Sequence, residues 1–247
     1  SLEMGGKNAI IVMNDADLAL AVEGILWSGF GTSGQRCTAC SRVIVHRKVK
    51  DELEKMLVEK IASFKIGNGL DESVDVGPVI NRQALKRIHD YVEIGKKEGA
   101  TLLSGGRILT NRGLASGHYY APTLFTDVDA DMRIAQEEIF GPVVSIITVD
   151  SLEEAIEVNN RVTFGLSSAI YTSDINRAFQ AQRDLETGIV YVNAGTTGAE
   201  IHLPFGGMKG TGNGHRDSGV AALDVFTEWK SVYIDYSGKL QRAQIDV

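Results

Sequence analysis

Short apolar segments rich in β-branched residues recur along the chain. The clearest run from Ala9 to Met13, Arg42 to His46, Val143 to Val149, Ser167 to Tyr171 and Ile189 to Asn193. Such short and almost unbroken hydrophobic runs are typical of strands that are covered on both faces. We therefore predict that these segments form a sheet in the interior of a domain.

Between these runs, apolar residues recur with the period of an α-helix. The helical segments run from Asp15 to about Phe30, from Val49 to Phe64 and from Arg82 to Glu98, and each has one apolar face. A capping box, with Ser151 three residues before Glu154, indicates another helix. A further helix is predicted to begin at Asp174 and to end at Gly188.

The alternation of strands and helices predicts an α/β domain with a mostly parallel, twisted sheet and helices on both faces. The segment from Val225 to Tyr236 mixes aromatic and β-branched residues with charges. It is expected to be either a last strand of the same sheet or a strand that pairs with the sheet edge of another subunit. We therefore divide the chain into a domain of residues 1–224 and a strand with a tail, residues 225–247.

Composition and charge narrow the classes of function. The 247 residues are 43% hydrophobic and 23% charged, which is typical of a globular protein. The net charge of −7 disfavours binding to nucleic acid or to an anionic membrane and favours a small-molecule ligand. The sequence shows no apolar stretch of membrane-spanning length and no signal peptide, and only two cysteines, so a reducing, cytoplasmic location is expected.

The stretch from Gly29 to Gly34 matches the dinucleotide-binding pattern GxGxxG. That pattern functions only where a strand precedes the glycines and a helix follows them. Here the helical segment comes first. We therefore interpret the stretch as a turn after a helix, in which glycine allows another part of the backbone to approach closely.

This turn leads to Cys37 and Cys40, which are spaced as CxxC. No second CxxC or paired histidine motif completes a zinc site, and we predict no metal. In a thioredoxin motif the first cysteine opens a helix, whereas a strand is predicted here. Cys37 lies in a glycine-rich loop beside Arg36, whose charge is expected to favour the thiolate, and it is the candidate nucleophile.

Four blocks in order along the chain carry a family resemblance. They are Leu2 to Lys7, Gly34 to Cys37, Glu137 to Pro142 and Pro204 to Gly207. In order and spacing they resemble the signature blocks of the NAD(P)-dependent aldehyde dehydrogenase superfamily. The resemblance covers the second, catalytic half of a family subunit. It implies a Rossmann-like catalytic domain and a homo-oligomer, dimer or tetramer, formed through the C-terminal strand.

The resemblance makes Cys37 the nucleophile and Glu3 the general base of aldehyde oxidation. The thiolate would add to the aldehyde carbonyl, and the resulting oxyanion needs donors such as the Cys37 backbone N–H. Hydride transfer to NAD or NADP would leave a thioester. A water activated by Glu3 would hydrolyse this thioester to a carboxylic acid.

The other site residues are also assigned by position. Glu138 matches the carboxylate that binds the nicotinamide ribose, with the ring of Phe140 beside it. Met4 would lie past the nicotinamide, and Phe205 would line the aldehyde tunnel. Arg36 would bind a substrate carboxylate, because it and residues 196–201 resemble the branch that acts on aminoadipate semialdehyde.

Two alternatives stay open at this stage. A coenzyme A-acylating semialdehyde dehydrogenase usually lacks the carboxylate at the position of Glu3, so that residue favours hydrolysis. A non-catalytic assembly module would keep the fold without an activated thiol. By the resemblance, the nucleotide-binding half of the family would precede Ser1, and the choice between NAD and NADP is made there.

Overall fold

The computed structural model describes residues 1–111 and 113–240. Its strands are β1 (Asn8–Val12), β2 (Cys40–His46), β3 (Thr101–Ser104), β4 (Ile108–Leu109), β5 (Tyr119–Tyr120), β6 (Thr123–Thr126), β7 (Val143–Val149), β8 (Phe164–Gly165), β9 (Ser167–Tyr171), β10 (Ile189–Val192) and β11 (Met208–Lys209). Its α-helices are α1 (Leu18–Phe30), α2 (Lys50–Ser63), α3 (Arg82–Glu98), α4 (Arg133–Gln136), α5 (Leu152–Asn160), α6 (Ile175–Asp184) and α7 (Ala222–Phe226). Within these ranges, no helix is both long enough and apolar enough to cross a membrane.

Seven strands form one sheet in the order β10-β9-β1-β2-β7-β6-β3. Neighbouring strands are parallel, except that β3 runs antiparallel to β6. Strands β8 and β11 form a separate antiparallel pair, as do β4 and β5. The mostly parallel sheet predicted from the sequence is therefore confirmed.

Helices cover both faces of this sheet. Ile10 and Val12 of β1 pack with apolar residues of α1 and α2. Ala9 and Ile11, on the opposite face of the same strand, pack with α5 and α6. Both sets of residues are fully buried. This double burial explains why the central strands read as unbroken apolar runs rather than as an alternating pattern.

The predicted helix limits agree with the structure to within one residue except at two ends. Helix α3 has the predicted bounds, whereas α1 begins at Leu18 with Asp17 as its N-cap, three residues after Asp15. The prediction that Gly188 ends α6 is wrong, because the chain leaves that helix at Leu185. The backbone of Leu185 is extended and its side chain is buried, so helix α6 ends without a glycine in the left-handed conformation.

The glycine-rich stretch after α1 is a turn, as predicted. Helix α1 ends at Phe30, and Gly34 has a φ of 65°. A β-carbon on Gly34 would lie 2.1 Å from the carbonyl oxygen of Gly141. This position therefore needs glycine both for its conformation and for the close approach of a second loop.

The described part of the C-terminal segment, residues 227–240, pairs with no strand of the chain. After α7, residues 227–240 contain no strand or helix, and Trp229, Tyr233 and Tyr236 are at least 90% exposed. The prediction of a last strand in the same sheet is therefore wrong for this chain, since β10 and β3 form the sheet edges. Residues 241–247 of the predicted tail lie outside the described residues.

Candidate functional site

Three of the four sequence blocks lie in loops that lead into neighbouring parallel strands. Residues 2–7 precede β1, Cys37 precedes β2 and Glu138 precedes β7. Because β1, β2 and β7 are adjacent and parallel, these loops meet at one end of the sheet, formed by the amino ends of its strands. The fourth block, residues 204–207, reaches the same place after β10. There, Glu3 forms a backbone bridge with Gly212.

Gly5 and Gly6 lie where the turn of Cys37 and the loop of Glu138 meet. A β-carbon on Gly6 would be 2.4 Å from the carbonyl oxygen of Cys37, and one on Gly5 would be 2.9 Å from Oε2 of Glu138. The N–H of Gly6 donates a hydrogen bond of 3.1 Å to Oε1 of Glu138. The cysteine turn and the Glu138 loop therefore pack against the same two glycines, which have no side chain to separate them.

Cys37 lies in a partly buried turn between α1 and β2. Burial raises the pKa of its thiol, and the backbone N–H of Thr38 lowers it. The charge of Glu3 raises it again, as does that of Glu138, and the net pKa lies above the ordinary value. Arg36 was expected to favour the thiolate; its side chain is exposed, and the charges that act most strongly on the sulfur are the negative ones of Glu3 and Glu138. The effect of Arg36 on the thiolate stays a prediction.

Glu3 lies beside the fourth block. A β-carbon on Gly206 would be 3.1 Å from Oε1 of Glu3. Burial raises the pKa of Glu3, the charge of Asp217 raises it further and that of Arg216 lowers it, so that the net pKa is raised. A carboxylate with a raised pKa is a stronger base toward water. The charge of Glu3 is also one of those that raise the pKa of the Cys37 thiol.

Glu138 and Phe140 follow one another in the loop before β7. Glu138 is half-buried, and its Oε2 accepts no hydrogen bond from the described residues, whereas Oε1 is held by Gly6. Burial raises the pKa of Glu138, while the Gly6 N–H and the charges of Lys7 and Arg87 lower it, leaving it raised. Phe140 has a φ of 55°, which is unusual for a residue with a side chain, and its ring is 38% exposed.

The structure places the remaining predicted residues at the same end of the sheet but does not test their roles. Met4 is 58% exposed, and its backbone N–H donates to the carbonyl of Thr211 at 2.8 Å. Phe205 is partly buried and pairs with Asp217 through two backbone hydrogen bonds. Arg36 is exposed beside the nucleophile. The functions assigned to these three side chains stay predictions.

Sequence reasoning missed Lys7, which is 2% exposed directly before β1. Its Nζ has no hydrogen-bond partner among the described residues. Burial lowers the pKa of Lys7 and the charge of Arg42 lowers it further, while Glu138 raises it, with a result of about 7. A charged residue that adjoins a wholly buried strand is the sequence signal that could have identified it.

Asn8, the first residue of β1, was missed as well. It is 3% exposed, and its Nδ2 donates to the carbonyls of Cys37 at 2.7 Å and Ala39 at 2.9 Å. A buried amide must have partners, so an asparagine at the start of an apolar strand indicates a hydrogen-bonding role. The sequence could not show that those partners belong to the nucleophile's turn.

Known proteins share this arrangement over nearly the whole chain. The family model for the aldehyde dehydrogenase family matches residues 1–232. The α-ketoglutaric semialdehyde dehydrogenase of Bacillus subtilis is 44% identical over 94% of this chain and 48% of its own length. The betaine aldehyde dehydrogenase of Brucella anthropi is 39% identical over 95% of this chain and 48% of its own length. The chain thus spans about half the length of these curated relatives.

A solved structure extends the likeness to the fold. A double mutant of betaine aldehyde dehydrogenase from Staphylococcus aureus, crystallised with NAD+, superposes with a TM-score of 0.93 and 35% identity. That alignment covers 98% of this chain and 48% of the crystallised chain. The family match, the relatives and the common fold agree with one another. This chain belongs to the aldehyde dehydrogenase family.

Proposed function

We propose that this chain provides the thiol site of NAD(P)-dependent aldehyde oxidation, in which Cys37 is the nucleophile and Glu3 the general base. The supporting observation is that the Cys37 turn and the Glu138 loop pack against Gly5 and Gly6, while Gly206 of the fourth block lies against Glu3. This packing brings a thiol, a carboxylate with a raised pKa and a second, half-buried carboxylate to the amino-terminal end of the sheet. Perturbed titratable groups that cluster in this way are typical of catalytic sites.

The chain's own residues account for acyl transfer. The Cys37 thiolate adds to the aldehyde carbonyl and forms a C–S bond, and the N–H groups that already lower the thiol pKa, from Thr38 and Cys37, can hold the oxyanion. A bound nicotinamide would supply the acceptor for the hydride that leaves the thiohemiacetal carbon. Glu3 then removes a proton from water, which attacks the thioester and releases a carboxylic acid and the Cys37 thiolate.

Glu138 and Phe140 fit the ribose of a nicotinamide cofactor. The Gly6 N–H fixes one oxygen of Glu138, and this leaves Oε2 able to accept from a ligand hydroxyl. Phe140, two residues further along the same loop, is 38% exposed and can provide an apolar surface to the ligand. We assign these residues to the ribose of NAD or NADP, with Met4 next to the nicotinamide.

We further propose that the substrate is a semialdehyde with a carboxylate at its far end. The guanidinium of Arg36 adjoins the nucleophile in sequence, is exposed, and forms no ion pair within the described residues, so it can bind a carboxylate through two hydrogen bonds. Phe205 would line the path of the aldehyde carbon chain. Betaine aldehyde, which carries a cation instead, is the comparison substrate, and a preference for it in the protein that contains this chain would contradict the proposal.

A homo-oligomer is proposed through residues 225–236. Strand β10 forms one edge of the sheet, and Val192 on it is 44% exposed. Beside this edge, Ile175 and Phe179 of α6 line an open groove of about 360 Å³, and both are more than 60% exposed. The exposed C-terminal segment of a second copy can add a strand to this edge. Removal of residues 225–247 should leave a monomer by light scattering, whereas an unchanged oligomer would exclude this segment.

The catalytic proposal is tested by hydrolysis of an activated aryl ester, a reaction that needs only acylation and deacylation of the thiol. The 247-residue chain should hydrolyse the ester, Cys37→Ser should abolish this activity and Cys40→Ser should keep most of it. Cys40 is the matched control because it lies three residues after Cys37, at the start of β2, and is buried. Equal losses in the two variants would remove Cys37 as the nucleophile, and no hydrolysis by the unchanged chain would favour an assembly module.

A further inference from the structure

The side chain of Asn8 ties the nucleophile's turn to the centre of the sheet. Its Nδ2 donates to the carbonyl oxygens of Cys37 and Ala39, at 2.7 and 2.9 Å. Its Oδ1 accepts from the backbone N–H of Ser167 in β9, at 3.1 Å. Asn8 is only 3% exposed, so water does not compete for these bonds. One buried amide therefore connects β1 and β9 with the turn before β2, at the end of the sheet where the site lies.

The backbone ladder is irregular at this position. Asn8 pairs with Cys40, but the next residue, Ala9, pairs with Arg42, so Ser41 has no opposite residue in β1. The regular ladder between β1 and β2 begins only after this shift. The Asn8 side chain provides hydrogen bonds to carbonyls of the turn that precede the regular ladder. The asparagine thus extends the order of the sheet into the nucleophile's turn.

The geometry of the peptide bond makes this contact important for the thiol. In a trans peptide the C=O and N–H groups point in opposite directions. The carbonyl of Cys37 and the N–H of Thr38 belong to the same peptide. Because Asn8 holds the carbonyl on one side, the N–H is directed to the other side, where it acts on the Cys37 sulfur and lowers its pKa.

We propose that Asn8 is a positioning residue for the nucleophile: by holding the Cys37 carbonyl, it fixes the orientation of the next peptide N–H, that of Thr38, relative to the Cys37 sulfur. The same N–H then faces the oxyanion that forms when the thiolate adds to a carbonyl. The inference rests on the proposed function, in which Cys37 is the nucleophile. Its effect on the thiol can nevertheless be measured with no substrate or cofactor.

The test is the pH dependence of Cys37 alkylation by iodoacetamide in the 247-residue chain. Asn8→Leu removes the amide while keeping a similar shape. It should move the midpoint of Cys37 alkylation to higher pH and slow alkylation at pH 8 by about tenfold, the effect on ionisation of losing one hydrogen bond to a charged group. The control is Ser41→Ala, which removes a hydroxyl that donates to the Asn8 backbone carbonyl at 3.3 Å. It should leave the midpoint and the rate unchanged.

An unshifted midpoint in folded Asn8→Leu would overturn the proposal, as would an equal shift in Ser41→Ala. A second measurement on the unchanged chain does not depend on the folding of a variant. The amide ¹⁵N resonance of Thr38 should titrate with the same midpoint as Cys37 alkylation, and independent behaviour would overturn the proposal. Failure of the proposed function itself would look different, because the unchanged chain would then not hydrolyse the aryl ester at all.

Discussion

Replacement of Lys7 by methionine should stabilise this protein, although lysine to methionine changes usually remove favourable surface interactions. Lys7 is 2% exposed and its Nζ has no hydrogen-bond partner among the described residues. Burial and the nearby charge of Arg42 lower its pKa from 10.5 to about 7. Between these two values the unfolded chain binds more protons than the folded chain, so stability rises with pH. The free-energy cost of burying the Lys7 ammonium is fully present below pH 7 and disappears as the pH approaches 10.5.

The size of this effect follows from the two pKa values. At pH 7 the penalty for burying Lys7 is about 4 kcal/mol, and at pH 9 it falls to about 2 kcal/mol. Methionine has a similar length and no charge, so Lys7→Met should raise the free energy of unfolding by about these amounts. Urea unfolding at the two pH values, followed by circular dichroism, measures the difference.

Lys50→Met is the matched control. Burial alone would lower the pKa of Lys50, but Glu54 at 2.9 Å and Asp127 at 3.5 Å outweigh burial, and its pKa is raised. Loss of that ammonium should therefore lower the free energy of unfolding. Lys7→Met would contradict this expectation if it also destabilised the chain or had the same effect at pH 7 and pH 9. Either result would show that burial of the Lys7 ammonium carries no such free-energy cost.

Three further outcomes are expected. Cys37 should be alkylated at neutral pH at least a hundredfold faster than Cys40, whose pKa burial raises to about 12; equal rates by peptide mass spectrometry would contradict this. Gly6→Ala should lower aryl ester hydrolysis at least tenfold and cost about 1–3 kcal/mol of stability, because its methyl would overlap the Cys37 carbonyl, whereas Gly69→Ala, in open space, should be neutral in both assays. The 247-residue chain alone should not reduce NAD+ or NADP+ with any aldehyde. It spans 48% of its relative's length, and we expect this part to bind the nicotinamide too weakly to keep it beside Cys37. Sustained, Cys37-dependent absorbance of the reduced cofactor would refute this.

The sequence predicted the central sheet well because its strands are covered on both faces. Strands β1, β7 and β9 are almost wholly buried and contain no charged residue, so their sequence pattern is sufficient. Strands β3 and β6 were not predicted because each has only four residues, beginning with a threonine, and β3 is also not fully buried. The apolar pattern of residues 225–236 indicated a strand, but no sheet edge among the described residues pairs with it. A hydrophobic pattern shows that a partner is needed without showing where the partner is.

The site residues were predicted from blocks that are far apart in sequence. No local pattern shows that these blocks meet at the amino ends of β1, β2 and β7, because strand order depends on tertiary packing. The pKa of Cys37 illustrates the same limit. Arg36 is its neighbour in sequence, yet Glu3 and Glu138, which are distant in sequence, raise the pKa of the thiol because the fold brings them close to it. The contribution of Asn8 likewise depends on a register shift that only the structure shows.

If Cys37 forms an acyl thioester that Glu3 hydrolyses, the intermediate should be visible when the base is removed. The most direct measurement is the intact mass of the Glu3→Gln chain after it is mixed with the activated aryl ester, followed by mapping of the modified peptide. We expect a stable acyl adduct on Cys37, with deacylation slower by roughly a hundredfold, the usual scale for loss of a general base. An adduct on another residue, or release of product at the rate of the unchanged chain with no adduct, would show that Cys37 and Glu3 do not have these roles.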